Sequence, residues 1–385
     1  MQGEATDLSA YRTDRKLDWI ALSLASGIGA RTAGVLIDRF GSPGAVLDAL
    51  PRELEIAGLK SEVIDDFNAG ELRQKAEDQL QRLEKLGATI LTLEDADYPA
   101  LLRETYDPPI VLYVRGDFQG ALAQPCIAVV GSRRCSTYGR NAAERLSRDL
   151  AAHCLTIVSG LARGIDTAAH TGALEGGGKT VAVMGTGLDD IYPKENRQLA
   201  EKICENGALL TEFPLGTPPV SQNFPFRNRV ISGISLGVMV VEAAERSGSL
   251  ITARLSYEQG REVFAVPGNI TSSKSFGPNY LIKDGAKLVQ IWQDVVEELP
   301  RDIKEKILSR QLSAEAEEKQ LEFEIVLSPE EQQLLHLLSF DEPVHIDNLL
   351  VKSGLGPPSL MGALLSLEMK DKIRQLPGKS FVRKM

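Results

Sequence analysis

The sequence predicts an α/β protein: a doubly wound, Rossmann-like parallel sheet with a small helical module before it and a winged helix after it. Three observations predict this. Between residues 126 and 291, short and nearly continuous apolar runs alternate with helical patterns, as parallel strands buried on both faces do. Glycine-containing segments follow several of these runs, where a wound sheet carries its functional loops. Residues 325–385 read as three helices and a hairpin, the outline of a winged helix.

The elements follow in chain order. Residues 15–80 hold short helices and two small-residue hairpins, Leu24–Ala33 and Glu55–Ile64, which suggest a SAM-like or helix-hairpin-helix module. Within residues 85–295, strands are expected at 126–130, 155–158, 180–184, 208–211, 237–241, 263–266 and 287–291. Residues 297–324 form a charged, partly helical linker. The winged helix follows over 325–385, with Gly354 as a helix stop and a turn at Pro377-Gly378.

The 385 residues are 43 % hydrophobic and suffice for two or three domains. No apolar run is long enough to cross a bilayer, and residues 1–17 lack the apolar stretch of a secretory signal. Cys126, Cys135, Cys154 and Cys204 show no CxxC spacing, and the four histidines are scattered. The expectation is a cytoplasmic chain with reduced thiols, without metal site, cofactor or membrane contact. The net charge of −10 is unevenly spread: residues 1–80 carry 9 basic and 14 acidic side chains, residues 297–324 carry 5 and 9, and residues 126–291 carry 18 and 15. The mildly basic middle permits anion binding there.

The loops supply the chemistry. Gly131-Ser132-Arg133 follows the first strand of the alternating region; Ser159-Gly160 and Arg163-Gly164 follow the second; Gly185 to Asp189 follow the third. Glycine lets backbone approach a ligand, helix N-termini offer unpaired N–H groups, and the arginines add fixed charge. The segment from Asn223 through Phe224, Phe226, Arg227, Asn228 and Arg229 sets aromatic faces beside guanidinium groups, the components of a single-strand groove. Gly248 and Ser249 open a further helix. One glycine loop alone would be explained by a tight strand-to-helix turn; several, bearing Arg and Ser at one sheet edge, point to an anion site.

Three familiar motifs fail on context. Gly131-Ser132-Arg133 is not G-x-G-x-x-G, and no acid follows the second strand to hold a ribose, which disfavours a dinucleotide. Gly176 to Thr180 resembles part of a P-loop, but the glycines end a helix and precede a strand. Gly233-Ile-Ser235-Leu-Gly237 has the hydrolase-elbow spacing with strand and helix in reversed order.

As a set, the segments VVGSRRCSTYG (129–139), SGLARGIDTAAHTGAL (159–174), VMGTGLDDIYPKEN (183–196), TEFPLGTPP (211–219), NFPFRNRVISGIS (223–235), VVEAAERSGSLITARLSYEQGREVFAVPG (240–268) and GPNYLIKDGAKLV (277–289) resemble the DNA-processing protein A family, DprA/Smf. The resemblance spans residues 85–295. It implies a protein without catalytic residues that binds incoming single-stranded DNA in natural transformation, protects it, and helps load a RecA-type recombinase as a homodimer. By position it implies a phosphate pocket at Gly131-Ser132-Arg133 and Ser159 to Gly164, with Phe224 to Arg229 as a groove wall. The third helix of the winged helix has almost no charge, so base reading in a major groove is disfavoured. Two other readings stay open: a nucleotide-acting enzyme similar to the lysine-decarboxylase-like phosphoribohydrolases, whose P-G-G-x-G-T loop is missing from the comparable region Glu242…Arg246-Ser-Gly-Ser249, and an adaptor that works through its winged helix.

Overall fold

A computed structural model of the chain describes residues 16–309, 327–339, 343–370, 372–376 and 378–383. It divides into two compact units, Met1–Ile307 and Leu308–Met385. The sequence-read linker, residues 297–324, starts with a turn at 297–300 and is helical from 301 to 309; residues 310–324 lie outside the described residues.

The first unit is built on a nine-stranded sheet. Its strands are β1 (Ala88–Thr92), β2 (Val111–Gly116), β3 (Cys126–Val130), β4 (Thr156–Ser159), β5 (Thr180–Val183), β6 (Gly207–Thr211), β7 (Gly237–Val240), β8 (Glu262–Ala265) and β9 (Lys287–Leu288). They lie in the order β1-β2-β6-β5-β4-β3-β7-β8-β9. From β6 to β9 all neighbours are parallel; β2 joins β6 antiparallel, and β1 joins β2 antiparallel. At the centre, Ala128 lies between Val158 and Val238. Strands β3 to β7 are buried at every position, which is why they read as unbroken apolar runs. Each buried Val or Ile contributes on the order of 1.5–3 kcal/mol.

The winding reverses at β3. From it the chain passes outward through β4, β5 and β6, then returns to place β7 on its other side. This is a topological switch point, where open α/β sheets form a crevice beyond the strand C-termini. The connecting helices are α1 (Thr137–Ala152), α2 (Ile165–Glu175), α3 (Arg197–Asn206), α4 (Asn223–Gly233), α5 (Gly248–Glu258) and α6 (Phe276–Lys283). Ser136 caps α1 by accepting from the Gly139 N–H at 3.0 Å, and Ala143, Leu146 and Leu150 bury its inner face. Helix α2 packs closely on α1 because Gly172 faces the Glu144 backbone, where a Cβ would not fit.

The helices of residues 16–85 share the core of the sheet. Trp19, Leu36, Leu54, Ala76 and Leu83 join one buried cluster with Ala182, Met184, Leu209 and Leu215. The tie is also polar: Gln79 donates to the Leu215 carbonyl at 3.1 Å and accepts from its N–H at 2.9 Å. Gly27 and Gly58, both at positive φ, turn the two hairpins seen in the sequence.

The second unit is a winged helix with its own core around Leu334, Leu349, Leu364 and Phe381. Helices α7 (Pro329–Leu337), α8 (Ile346–Ser353) and α9 (Pro357–Met369) combine with a three-stranded sheet, β10 (Val344–His345), β12 (Ser380–Arg383) and β11 (Ile373–Leu376). Gly354 stops α8 in the left-handed conformation. Among the described residues no helix is long and apolar enough to cross a membrane.

Candidate nucleic-acid interface

The loops after β3, β4 and β7 meet at the switch point. The Ser132 N–H donates to the Glu242 carbonyl at 2.7 Å, and the Ile165 N–H donates to the Ser132 carbonyl at 3.2 Å. Glycine is required at this crossing: a Cβ on Gly131 would meet Ile165 and the Glu242 carbonyl, and one on Gly164 would strike the Ser132 carbonyl. Glu242 is spent on this scaffold, since its carboxylate accepts from both the N–H and the hydroxyl of Ser136.

The loops enclose a cleft of about 570 Å³. Gly131, Ser132 and Arg133 form one wall, Phe224, Arg227 and Asn228 of α4 form another, and Gly248 and Ser249 at the start of α5 form a third. Helix α5 therefore directs its first turn, and the positive end of its dipole, into the cleft. A smaller pocket of about 220 Å³ adjoins it, lined by Arg133, Arg134, Gly160, Arg163, Tyr192 and Phe224. Phe224 belongs to both cavities. The Arg133 guanidinium lies 5.0 Å from its ring centre and that of Arg227 at 5.9 Å, within reach of cation–π attraction.

Arg227 forms the floor. It is only 4 % exposed. Its Nη1 donates to the Val183 carbonyl at 3.2 Å and lies 4.0 Å from the Asp166 carboxylate, while Nε has no partner. Burial pushes its pKa down to about 10, with Asp166 opposing, so the group stays charged near neutrality. Asp166 is itself pushed upward by burial, against Arg227 and the N–H groups of Ala162 and Gly160. Gly160 is what admits the guanidinium: a Cβ there would fall on Arg227 Nη1. Behind it, His170 bonds Thr180 at 2.7 Å, and burial lowers its pKa to about 3, so it is a neutral core residue.

With this geometry in hand, the comparisons are decisive for family. The profile of DNA recombination-mediator protein A matches residues 89–300, and that of the DprA winged helix domain matches residues 316–379. The chain belongs to the DNA recombination-mediator protein A family. It is 41 % identical to the Smf protein of Escherichia coli K12 over 313 residues, 80 % of each chain. It is 50 % identical to the DNA processing protein DprA of Streptococcus pneumoniae R6 over 204 residues, covering 53 % of this chain and 72 % of that one. The X-ray structure of DprA from S. pneumoniae superposes with a TM-score of 0.65 at 39 % identity, covering 74 % of this chain and 98 % of that one. DNA processing protein A from Helicobacter pylori, whose structure is described for its single-stranded DNA binding mode, gives 0.50 at 31 % identity, with 56 % and 96 % covered.

The fold divides the family-matched residues between cleft and scaffold. Gly131, Ser132, Arg133, Arg227, Asn228, Gly248 and Ser249 line the cleft, and Gly160 and Arg163 line the adjoining pocket. Arg163 is paired through two hydrogen bonds with Glu195, which offsets its charge. Ser159 is buried and bonds the Val129 carbonyl, Gly164 spaces two loops, and Asn223 holds the Gly185 carbonyl at 3.1 Å.

The expected wall from Phe224 to Arg229 needs correction at two positions. The segment is helical, so successive residues rotate by about 100°. Phe224, Arg227 and Asn228 face the cleft. Phe226 is 59 % exposed and lines neither cavity. Arg229 turns into the protein, where it pairs with Glu212 and bonds the Asp107 carbonyl. Tyr192 and Asp166, both lining the main cleft, were not singled out by sequence reasoning; the only hint of Tyr192 was its place in the family segment 183–196.

Proposed function

We propose that the cleft binds single-stranded DNA through its backbone, in a sequence-tolerant manner. The observation that carries this reading is the pair of guanidinium groups, Arg133 and Arg227, set against one aromatic ring at a switch-point cleft that also receives the first turn of α5. Phosphate would engage the guanidinium donors and the backbone of the glycine loops, and a base has Phe224 and Tyr192 as stacking faces. The single-stranded DNA binding described for the H. pylori relative supports this assignment. In line with the family, the chain would act in the cytoplasm as a homodimer that protects incoming strands and delivers them to a RecA-type recombinase. It would be a binder rather than a catalyst: Glu242, the acid in the region comparable to the hydrolases' missing loop, is committed to Ser136.

The test is a titration of labelled oligo-dT against a duplex of equal length over a range of salt. Single-strand binding should dominate, with log K falling with log salt by about 0.7 per phosphate contacted. Arg133→Ala should weaken every sequence alike. Salt-insensitive binding, or an Arg133→Ala protein with full affinity, would refute the cleft as the site.

A further inference from the structure

Helix α1 starts at the rim of the cleft, three residues after Arg134, and its solvent face is rich in arginine. Tyr138, Asn141, Arg145 and Arg148 follow one another at intervals of three and four residues, one continuous stripe on a helix. Arg140 lies beside it on the same exposed side. Tyr138 is 53 % exposed and is fixed by donating its hydroxyl to the Pro267 carbonyl at 2.7 Å. A depression of about 370 Å³ runs along this stripe, walled by Tyr138, Ala142, Arg145 and Leu146 on one side and by Val266, Pro267 and Val289 on the other.

The charge of this face is under-compensated: residues 133–152 carry five arginines against two acids, Glu144 and Asp149, whereas four other arginines of the first unit each have a carboxylate of their own. Arg254 pairs with Glu258 at 2.8 Å, Arg301 with Glu305 at 2.7 Å, Arg82 with Asp189 at 2.8 Å and Arg115 with Glu201 at 2.7 Å. On α1, Arg145 and Arg148 share one carboxylate, Asp149, at 3.8 and 3.6 Å. Arg134 and Arg140 make no ion pair among the described residues, although Glu144 stands four residues beyond Arg140. A chain of net charge −10 thus keeps an excess of exposed guanidinium groups leading away from its anion cleft, beside an apolar trough with an aromatic ring at its head.

We infer that the strand leaves the cleft over Tyr138 and continues along α1, with phosphates on Arg145 and Arg148 and bases against the apolar trough. This second contact zone rests on the cleft reading and extends it. It makes affinity depend on strand length: an oligonucleotide that fills only the cleft would not sense α1, and a longer one would.

The experiment measures fluorescence anisotropy of the full chain with oligo-dT of about 6 and about 20 nucleotides, lengths that bracket common single-strand site sizes. The double variant Arg145→Ala/Arg148→Ala should bind the short strand like wild type and the long strand about tenfold more weakly. Its long-strand salt slope should be smaller by about 1.4, two phosphate contacts. The Arg145→Lys/Arg148→Lys pair, which keeps both charges, should retain most of the long-strand affinity. Equal losses on both lengths, or none on either, overturn the inference. The cleft reading fails separately, if Arg133→Ala leaves short-strand binding intact.

Discussion

Arg227 and Arg229 stand two residues apart on α4, both more than nine-tenths buried, yet they serve opposite sides of the helix. Arg229 is neutralised on the inner side: Glu212 takes one arm, the Asp107 carbonyl another, and the Asp107 carboxylate lies 3.4 Å from Nε. Burial pushes Glu212 up to about 7, with Arg229 holding it back, as two groups that depend on each other do. Arg227 has one carbonyl and a carboxylate at 4.0 Å, and the rest of its fork faces the cleft. A buried guanidinium held between two acidic residues on the inner side of a helix is structure; one with a single carbonyl acceptor at the floor of an open cleft is available to a phosphate.

The largest effect expected from this contrast is on folding. Arg229→Ala leaves Glu212 buried with neither oxygen satisfied, since Oε1 already lacks a partner. Removing one partner of such a pair costs about 3–5 kcal/mol. Urea denaturation should show that loss, while the folded fraction keeps wild-type affinity for oligo-dT. Unchanged stability, or a loss of affinity matching that of Arg133→Ala, would break the contrast.

Gly160→Ala addresses the cleft side. The added methyl occupies the place of Arg227 Nη1, so the guanidinium must leave the Val183 carbonyl and Asp166. Affinity for oligo-dT should fall about tenfold, the loss of one charge-assisted contact, with a stability cost of about 1–3 kcal/mol for the stranded Asp166. Wild-type binding by a folded Gly160→Ala protein would show that Arg227 does not touch the ligand.

Much of this arrangement was legible in the sequence, for definite reasons. The central strands are buried on both faces, so their composition declares them; the glycines of the first two loops sit where carbonyls or a guanidinium leave no room for a side chain. Strands β1 and β2 were not assigned because they are an antiparallel addition at the sheet edge, and β1 interleaves threonines with apolar residues. The two faces of α4 were hidden for a different reason. Residues 223–229 begin a helix despite Pro225, which lies in the first turn, where its missing N–H costs nothing. Reading the segment as a row of neighbours set Arg229 beside Arg227, whereas a helical phase separates them by about 200°. The independence of residues 16–85 was likewise not visible as a question of core: their apolar faces pack on Met184, Leu209 and Leu215.

The winged helix offers the mildest test of the same rule. Glu331 is buried there and saturated: Lys370 donates to both oxygens at 2.8 Å, Ser366 donates its hydroxyl, and the Ser328 N–H donates at 2.7 Å. Burial alone would raise its pKa, but these donors outweigh it and hold the carboxyl below its ordinary value of 4.5. A lowered folded-state pKa means that the stabilisation is present above the unfolded value and fades as pH falls through the folded one. Lys370→Ala should therefore lower the stability of this unit by about 1.5 kcal/mol at pH 7, and the difference from wild type should shrink as the carboxyl is protonated below about pH 4.5. Thermal unfolding followed by circular dichroism at pH 7 and pH 3 checks both halves. A deficit that persists at pH 3 would mean that Lys370 acts through packing of its stem, and that saturation of the carboxylate is not what holds this helix pair together.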